Sequence, residues 1–311
     1  MTTHAPIVIL GIFVADTAFR ATRMPRMGET LLGQSFALGP GGKGSNQAVA
    51  AARAGGQAHV LTRLGRDAFA QMARDIWAEA GVTPEVIEDA QSYTGAAFIF
   101  VDAATGDNAI IVSPGAAARI SAADVEAHAA LIGGAKVFVT QLEQPMEAAL
   151  RALQIARAGG ALTILNPAPA AALPEGMLAL ADIVTPNETE AEGLTGLPVT
   201  TMPEAETAAR ALRAKGAGAV VITLGEKGAL YHDAEHMVHV PAFHAGPVVE
   251  TTGAGDAFNG AMAVALAEGA EPVRAVRFGC AAAAISVTRG GAAASMATRT
   301  EIDTLIARHA M

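Results

Sequence analysis

Short runs rich in β-branched and aliphatic residues alternate with longer alanine-rich runs along most of this chain. The runs with strand character are Ile7–Val14, His59–Leu64, Lys136–Leu142, Ala161–Asn166, Ile183–Thr185 and Ala219–Leu224. The runs with helix character are Lys43–Ala54, Arg66–Ala80, Pro145–Ala158, Glu204–Lys215, Asp256–Ala267, Pro272–Thr288 and Glu301–Arg308. Strands that alternate with helices are joined by crossovers, which place helices on both faces of a parallel sheet. The alternation predicts an α/β fold: a three-layer α/β/α body with a mostly parallel sheet.

Two stretches interrupt this alternation, because Thr30–Leu38 and Ala96–Val112 have strand character without a helix between strands. The second contains Thr105-Gly106-Asp107-Asn108, a sequence typical of a hairpin turn. We expect a small antiparallel sheet, built from approximately residues 12–40 and 93–113, that stands off the main body. Its position suggests a lid, although an ordinary meander has the same pattern. No linker divides the chain, so residues 1–311 are expected to form one domain with this sheet inserted in it.

Charge and composition exclude several classes of protein. The chain has 21 Lys plus Arg against 30 Asp plus Glu, a net charge of −9, and no basic cluster that would bind a nucleic-acid backbone. No run of about 18 residues lacks a polar interruption, so no membrane span is predicted. The amino-terminal segment lacks the basic region of a signal peptide, and the single cysteine, Cys280, excludes an internal disulfide. We therefore expect a cytoplasmic protein that binds small molecules.

The segment Thr251–Gly260 carries the sharpest chemical signal. Ligands of a parallel sheet bind beyond the carboxyl ends of its strands, and here the small residues Gly253, Ala254 and Gly255 directly precede a predicted apolar helix. Backbone N–H groups at such a helix start can bind an anion. Asp256 beside them could accept a proton from a hydroxyl group. An ordinary N-capping Asp after a glycine turn explains the same residues.

A second glycine-rich segment, Gly39–Asn46, also opens a predicted helix. It is not a Walker A motif, because Gly44 stands where Ser or Thr must follow the lysine. Its paired glycines would let the backbone approach a small polyol closely, and Lys43 and Asn46 would supply donors one helical turn apart. The alternative interpretation is a flexible loop without a ligand.

Further polar residues follow other predicted strands. Asp16 could accept two sugar hydroxyls or lie in a surface turn, and Glu143 could contact a ligand or simply favour the start of a helix. Asn187 could contact phosphate oxygens and Glu190 could organise Mg²⁺ through water. The same two residues fit a helix capping box, which does not exclude the ligand roles. The Gly-x-x-Gly turn within Thr223–Gly228 could lie against a nucleotide.

In combination, these motifs resemble the ribokinase-like family of carbohydrate kinases, also called the PfkB family, from Gly11 to about Asp303. The segments that carry the resemblance are Gly28–Thr30, Gly41–Ala48, Gln141–Glu143, Asn166–Pro169, Thr185–Glu192 and Gly253–Asp256. The resemblance implies ATP-dependent phosphorylation of a pentose at its primary hydroxyl, with D-ribose as the first candidate. The alternatives are 2-deoxyribose or another sugar or nucleoside as the substrate, or a non-catalytic sugar-sensing protein.

The resemblance also implies roles for individual residues. The sugar would contact Val14, Asp16, Gly41, Gly42, Lys43, Asn46, Glu143 and Asp256. ATP would lie along Asn187, Thr223, Gly225, Lys227, Gly228, Gly255 and Cys280. The anion hole would consist of Gly253, Ala254 and Gly255, and Asp256 would take the proton from the primary hydroxyl.

Two ions and a partner subunit follow from the same resemblance. Mg²⁺ would accompany ATP near Glu190, and K⁺ would bind at Glu250, Thr252, Ser286, Arg289, Gly291 and Ser295, partly through carbonyl groups. Two lids would pair to form a homodimer. This chain departs from the family pattern at Val14, where Asn is usual, and at Glu250, where Asp is usual. Valine would leave a facing sugar hydroxyl unpaired, and the longer carboxylate could alter the cation site.

Overall fold

The computed structural model describes residues 6–309 of the chain. The strands are β1 (Ile7–Leu10), β2 (Val14–Ala21), β3 (Ser35–Gly41), β4 (Ala58–Leu64), β5 (Thr83–Glu88), β6 (Thr94–Asp102), β7 (Asn108–Gly115), β8 (Val137–Thr140), β9 (Leu162–Leu165), β10 (Ile183–Val184), β11 (Ala219–Thr223), β12 (Ala229–His232) and β13 (Met237–Val240). The helices are α1 (Lys43–Arg53), α2 (Ala68–Ala80), α3 (Ala122–Ala127), α4 (Ala129–Gly133), α5 (Met146–Ala158), α6 (Glu188–Thr195), α7 (Met202–Ala214), α8 (Ala254–Ala267), α9 (Pro272–Ser286) and α10 (Arg299–Arg308). The prediction about a signal peptide concerns an amino-terminal segment whose first five residues lie outside the described residues.

The main sheet has the strand order β13-β12-β11-β10-β9-β8-β1-β4-β5. Its strands are parallel from β5 to β11, and β12 and β13 add an antiparallel edge. Alternate residues of β1 belong to different cores, with Ile7 and Ile9 in one and Val8 and Leu10 in the other. The first core contains residues of α1, α2, α8, α9 and α10, and the second contains residues of α3 to α7. The predicted three-layer body with a mostly parallel sheet is confirmed.

The small sheet has the strand order β3-β2-β6-β7. Strands β6 and β7 form an antiparallel hairpin, as predicted, and Gly106 in its turn has a φ of 79°. The small sheet is antiparallel as expected except for one pair, because β2 and β6 are parallel. A hairpin forces antiparallel pairing, but β2 and β6 are separated by a long crossover that includes α1, β4, α2 and β5.

The expectation of one continuous strand over Ile7–Val14 is also wrong, since β1 and β2 belong to different sheets. The chain leaves the main sheet at Gly11, where an added Cβ would lie only 2.7 Å from the Cα of Gly44. The Ile12 carbonyl then accepts a hydrogen bond from the Ser45 N–H at 3.2 Å. The first turn of α1 therefore occupies the space into which β1 would continue.

The predicted strand Thr30–Leu38 is displaced toward the carboxyl end, because β3 covers residues 35–41. Pairing with β2 sets these bounds, and Asp16 lies opposite Gly39 in the ladder. The first part of the glycine-rich segment Gly39–Asn46 consequently belongs to a strand, which excludes the alternative interpretation of a flexible loop for residues 39–41. Asp16, which was expected after a strand, lies within β2.

The elements for which the sequence analysis gave no bounds are β2 and also β5, β12, β13, α3, α4 and α6. Strand β2 follows the break after Gly11, which the sequence analysis missed, and the other six form a distinct group. They are short or lie at a sheet edge, where the hydrophobic pattern is weak. The longest described helix, α9, has 15 residues. In the part of the chain that the structure describes, no helix is long and apolar enough to cross a membrane.

Helices α1 and α8 pack against each other very closely. A Cβ added to Gly260 of α8 would lie 2.5 Å from the carbonyl oxygen of Gln47 and 2.6 Å from the Cβ of Ala50 on α1. Real side chains do not tolerate such distances, so glycine at this position permits the approach. The close contact at Gly260 holds α1 and α8 together, so that their first turns lie side by side at one end of the sheet.

We expect Gly260→Ala to destabilise the protein by about 1–3 kcal/mol, because the added methyl group forces the two backbones apart. The matched control is Gly193→Ala on α6, where the added Cβ would contact only the Cβ of Ala170, at 3.4 Å. That variant should keep or slightly raise the stability, because alanine is the better helix former. Thermal unfolding measures both changes, and equal Tm values for the two variants would contradict the close packing at Gly260.

Candidate active site

The first turns of α1 and α8 are joined by hydrogen bonds to one carboxylate. Asp256 accepts from Asn46 Nδ2 at its Oδ2 and from Gln47 Nε2 at its Oδ1, both at 3.0 Å. Asp256 is buried, with 6% of its surface exposed. Burial raises the pKa of Asp256, and the charge of Lys43 and the two amide donors oppose that rise. A desolvated carboxylate held by neutral donors is suited to accept a proton.

The start of α8 provides backbone N–H groups beside this carboxylate. Gly253 caps the helix with a φ of 80°, a left-handed conformation that glycine adopts without strain. A Cβ added to Gly255 would meet no atom within 4 Å, so the backbone there borders open space. The first N–H groups of a helix have no acceptor within the helix. The N–H groups of Gly253 and Gly255 therefore lie at an open helix start, and the anion-binding role of the segment stays a prediction.

Lys43 and Glu143 meet at the start of α1. Gly42 caps this helix with a φ of 88°, and the Lys43 backbone N–H donates to Glu143 Oε2 at 2.8 Å. Burial raises the pKa of Glu143 to about 7, although the nearby Lys43 charge opposes the rise. Burial works against the charge of Lys43 itself, but the carboxylates of Asp256, Glu143 and Glu190 raise its pKa overall. One ammonium group thus faces several carboxylates in a half-buried site.

Asp16 reaches the same site from the small sheet. A Cβ added to Gly41 on the neighbouring strand would lie 2.2 Å from Asp16 Oδ2, so the glycine makes room for the carboxylate. Burial raises the pKa of Asp16 to about 6, and the charges of Asp256 and Glu250 add to the effect. Val14, two residues earlier on β2, is 3% exposed and pairs with Gly41. These residues form the side of the site that belongs to the small sheet.

One polar atom in the site lacks a partner. Asn46 Oδ1 is buried and accepts no hydrogen bond from any residue that the structure describes, while its Nδ2 is occupied by Asp256. A buried acceptor without a donor costs about 1–3 kcal/mol. A hydroxyl group of a bound ligand would remove that cost.

A cleft of about 720 Å³ extends from Asp16 along the small sheet. Alternate residues of β2, namely Asp16, Ala18 and Arg20, line one wall. The segments 248–252 and 291–294 contribute to the opposite wall. The volume of the cleft is large enough for a small-molecule ligand.

The residues predicted to contact the nucleotide gather beyond the carboxyl ends of β10 and β11. Asn187 caps α6 in a reciprocal capping box with Glu190, with donor–acceptor distances of 2.8 and 2.9 Å. Asn187 also forms a parallel bridge with Thr223. The capping interpretation is therefore correct, and the second predicted role of both residues stays open because the box leaves carboxylate and amide atoms free.

The turn after β11 passes through two left-handed glycines, Gly225 and Gly228, with φ values of 54° and 97°. A Cβ on Gly228 would lie 2.1 Å from the carbonyl oxygen of Val240, so the turn requires glycine. Lys227 is exposed, and the only hydrogen bond of its ammonium group within the described residues is to the Thr200 carbonyl at 3.4 Å. Cys280 is buried in α9, where burial raises the pKa of its thiol to about 12. Neither side chain lines the cleft along the small sheet or hydrogen-bonds to Asp256.

Glu190 is the carboxylate that the sequence associates with Mg²⁺. It is 8% exposed, and one of its oxygens accepts the Asn187 N–H. Burial raises the pKa of Glu190, while that N–H and Lys43 oppose the rise. Among residues 6–309, no group of three or more His, Cys, Asp or Glu side chains could hold a metal ion. A single free carboxylate oxygen fits Mg²⁺ that keeps its water shell and its phosphate ligands.

The residues predicted to bind K⁺ lie on two adjoining segments. The N–H groups of Val249 and Glu250 donate to the Val287 carbonyl at 2.8 and 3.2 Å, and the Gly291 N–H donates to Glu250 Oε2 at 2.8 Å. The longer side chain of Glu250 thus bridges both segments. Its carboxylate and the neighbouring carbonyl groups are hard oxygen donors, which fit an alkali cation.

The other residues predicted to bind K⁺ differ in which of their oxygen atoms are available to a cation. The hydroxyls of Ser286 and Ser295 are buried and donate to carbonyls of their own helical turns. The Arg289 guanidinium forms an ion pair with Glu301, so only the backbone carbonyl of Arg289 is available to a cation. Thr252 is exposed at the cleft wall.

Several buried polar residues next to the site escaped the sequence analysis. They form a hydrogen-bonded network behind Asp256 and consist of Gln47, Gln141, Asn166, Thr185 and Asn259. The available signal was an amide side chain at positions where the predicted helix or strand otherwise carries core residues. Residues 47, 141, 166 and 185 also lie within segments that carry the family resemblance.

Comparisons with known proteins agree with this geometry. Residues 5–299 match the family described as pfkB family carbohydrate kinase. A ribokinase of Haemophilus influenzae is 40% identical over 296 residues, which cover 95% of this chain and 96% of that protein. A deoxyribokinase of Salmonella typhi is 37% identical over 291 residues, which cover 93% of this chain and 94% of that protein.

Solved structures give the same assignment. An Arabidopsis thaliana ribokinase complexed with ribose and ATP matches with a TM-score of 0.91 and 30% sequence identity, covering 98% of this chain and 99% of that one. The match therefore includes both the main body and the small sheet. A family match over nearly the whole chain, together with relatives of this identity, confirms the resemblance inferred from the motifs. The chain belongs to the pfkB family of carbohydrate kinases.

Proposed function

We propose that this protein is a pentokinase that transfers the γ-phosphoryl group of ATP to the primary hydroxyl of D-ribose. The observation that carries the proposal is the position of Asp256, a buried carboxylate directly beside the glycine-rich start of α8. That arrangement combines a base with an anion-binding backbone, and both are needed for phosphoryl transfer to an alcohol. The ribokinases of Haemophilus influenzae and Arabidopsis thaliana support ribose as the sugar.

The sugar lies between the two sheets in this proposal. Asp16 and Glu143 accept hydrogen bonds from its hydroxyls, and the unpaired Oδ1 of Asn46 accepts another. Gly41 and Gly42 have no side chains that would collide with Asp16 and the Ile12 carbonyl, so this side of the site keeps its shape. The unpaired Oδ1 of Asn46 argues for a ligand with a hydroxyl group, because a hydroxyl can donate to this atom.

The transfer step uses Asp256 and the start of α8. Asp256 accepts the proton of the primary hydroxyl while the hydroxyl oxygen bonds to the γ-phosphorus. The bond from that phosphorus to the β,γ-bridging oxygen breaks, which releases ADP. The N–H groups of Gly253 and Gly255 stabilise the negative charge on the transferred group, and the Ala254 N–H joins them by exchanging its bond to the Thr251 carbonyl, at 3.2 Å, for the phosphoryl oxygen. These groups are held in place before the reaction, so little reorganisation is required.

ATP and two ions complete the proposed site. Asn187, Thr223, Gly225, Lys227, Gly228 and Gly255 line the nucleotide, and Cys280 contributes packing from α9. Magnesium near Glu190 supplies neutralisation of the phosphate charges when it is bound. A monovalent cation beside Glu250 supports the loop that leads into α8, and the rate with potassium replaced by sodium measures this role. The cytoplasmic location stays a prediction.

Asp256→Asn is expected to lower kcat by about 10²–10⁴-fold, because the amide cannot accept the proton. The matched control is Asp182→Asn. Asp182 accepts the Thr163 N–H at 2.8 Å and precedes β10, at the opposite end of the sheet from Asp256. A coupled assay of ADP release with ribose measures both variants, and thermal unfolding checks that they fold. Near-normal turnover in Asp256→Asn would remove the base from the proposal.

A second candidate substrate, 2-deoxyribose, is favoured by Val14. This side chain is buried within the sugar side of the site and has no hydrogen-bonding atom. A sugar hydroxyl that faces it would lose its partner on leaving water, and a sugar without that hydroxyl would not. The deoxyribokinase of Salmonella typhi, at 37% identity, supports this alternative.

Val14→Asn is expected to raise the ratio of kcat/KM for ribose to that for 2-deoxyribose by about 5- to 150-fold, the equivalent of about 1–3 kcal/mol. The new amide would pair with the hydroxyl that distinguishes the two sugars. Val14→Ala is the control, because it changes the volume without adding a donor and should leave the ratio nearly unchanged. An unchanged ratio in Val14→Asn would show that this position does not face the distinguishing hydroxyl.

We further propose that the small sheet is a lid within one kinase domain, and that two lids pair in a homodimer. The face of this sheet that lies away from the cleft carries exposed apolar side chains, namely Phe19 at 41%, Phe36 at 57% and Ile111 at 65% exposure. The rings of Phe19 and Phe36 are 4.9 Å apart and continue to Phe98. An apolar patch of this kind is typical of an interface.

Ile111→Lys is expected to convert a dimer into a monomer, because the charge would be buried against the partner's apolar face. Light scattering after size-exclusion chromatography measures the mass. Val248→Lys provides the control, since Val248 is also exposed, at 67%, but lies outside the small sheet. A wild-type monomer, or a dimer that survives Ile111→Lys, would contradict pairing through this face.

A further inference from the structure

The side chain of Gln47 is held on three sides behind Asp256. It is fully buried, and its Nε2 donates to Asp256 Oδ1 at 3.0 Å and to Asn166 Oδ1 at 3.1 Å. Its Oε1 accepts a hydrogen bond from Gln141 Nε2 at 2.5 Å. Both N–H groups and the carbonyl oxygen of this amide therefore have partners.

The partners of Gln47 determine which way its amide faces. Asn166 Nδ2 donates to the Thr185 carbonyl at 2.9 Å, so the Oδ1 of Asn166 must face Gln47 and requires an N–H there. Gln141 presents an N–H to the other end of the same amide. Gln141 and Asn166 directly follow β8 and β9, so the rigid sheet sets the direction of the amide.

We propose that Gln47 is a positioning residue for phosphoryl transfer, which holds Asp256 Oδ1 and so directs Oδ2 toward the reacting hydroxyl. The inference rests on the proposed role of Asp256 as the base. Asn46 Nδ2 lies 3.0 Å from that Oδ2, and the unpaired Oδ1 of Asn46 marks the ligand side. Rotation of the carboxylate would break the bond to Gln47, so its donors keep one oxygen of Asp256 aimed at the substrate.

Gln47 also affects the protonation of Asp256. The charged groups that face Asp256 are Lys43 from α1, Asp16 from β2, Glu143 after β8 and Glu190 from α6. Burial raises the pKa of Asp256, and the Lys43 charge and the two amide donors lower it. A donor to the charged form favours that form. Loss of the Gln47 donor therefore raises the pKa and leaves the base protonated up to a higher pH.

Gln47→Met tests the inference, because methionine has a similar length and cannot donate. We expect kcat to fall about 10- to 100-fold and the acid limb of its pH profile to move to higher pH by about one unit. The KM for the sugar should change less than about threefold, since Gln47 does not line the ligand space. Gln141→Met removes no side chain that contacts Asp256, but it removes one of the two groups that orient the Gln47 amide. The acid limb should therefore move in the same direction by a smaller amount.

The matched control is Ser45→Ala on the same helix. Ser45 is fully buried and accepts a hydrogen bond from Trp77 Nε1 at 2.9 Å, so its loss destabilises α1 without touching Asp256. We expect a lower Tm and an unmoved acid limb for Ser45→Ala. If Gln47→Met lowers kcat with the acid limb unmoved, as a structural role alone predicts, the inference is overturned.

A second readout does not depend on the identity of the sugar. The protein is labelled with carbon-13 aspartate and its carboxyl resonances are titrated by NMR. The resonance of Asp256 is the one that is missing from the spectrum of Asp256→Asn. A midpoint at higher pH in Gln47→Met supports the inference, and an unchanged midpoint overturns it. If the midpoint shifts but the wild-type protein phosphorylates no pentose, the proposed function fails while the control of Asp256 by Gln47 stands.

Discussion

The hydrogen bonds from α1 to Asp256 on α8 are the interaction on which the site depends. They form only because the two helices approach within backbone contact at Gly260, where any side chain would collide with α1. A similar contact between Gly11 and Gly44 brings the start of α1 against the end of β1. These glycines place two helix starts and one buried carboxylate at the carboxyl edge of the sheet. The proposed sites of anion binding and proton acceptance therefore lie in the same small volume.

The electrostatic balance of the site follows from that packing. Asp16, Glu143 and Asp256 are each removed from water, and burial raises the pKa of all three. Lys43 is the cation placed among them, and its own pKa is raised by their charges. A net charge of −9 does not oppose the proposed binding of a polyphosphate, because oriented backbone amides at the start of α8 would supply the attraction locally.

Much of the fold could be predicted because burial on both faces of a parallel sheet leaves a strong pattern of apolar runs. The break after β1 could not, since residues 7–14 are apolar throughout and the turn at Gly11 results from contact with α1, which is distant in sequence. The bounds of β3 also escaped prediction. Residues 30–34 are as strand-like as those that follow, and only pairing with β2 decides which of them extend the sheet.

The sequence by itself determined the family, the layer order and the positions of the glycine-rich helix starts, because these depend on local patterns and on motif order. It also indicated Asp256, Asn187 and Glu190, whose neighbours in the chain reveal their roles at helix starts. Only the tertiary structure decided that Gln47, Gln141 and Asn166 support Asp256. Their side chains meet through hydrogen bonds between elements that are far apart in the chain. Such bonds depend on distances of a few ångströms between strand ends and helix turns, and no local pattern of residues records them.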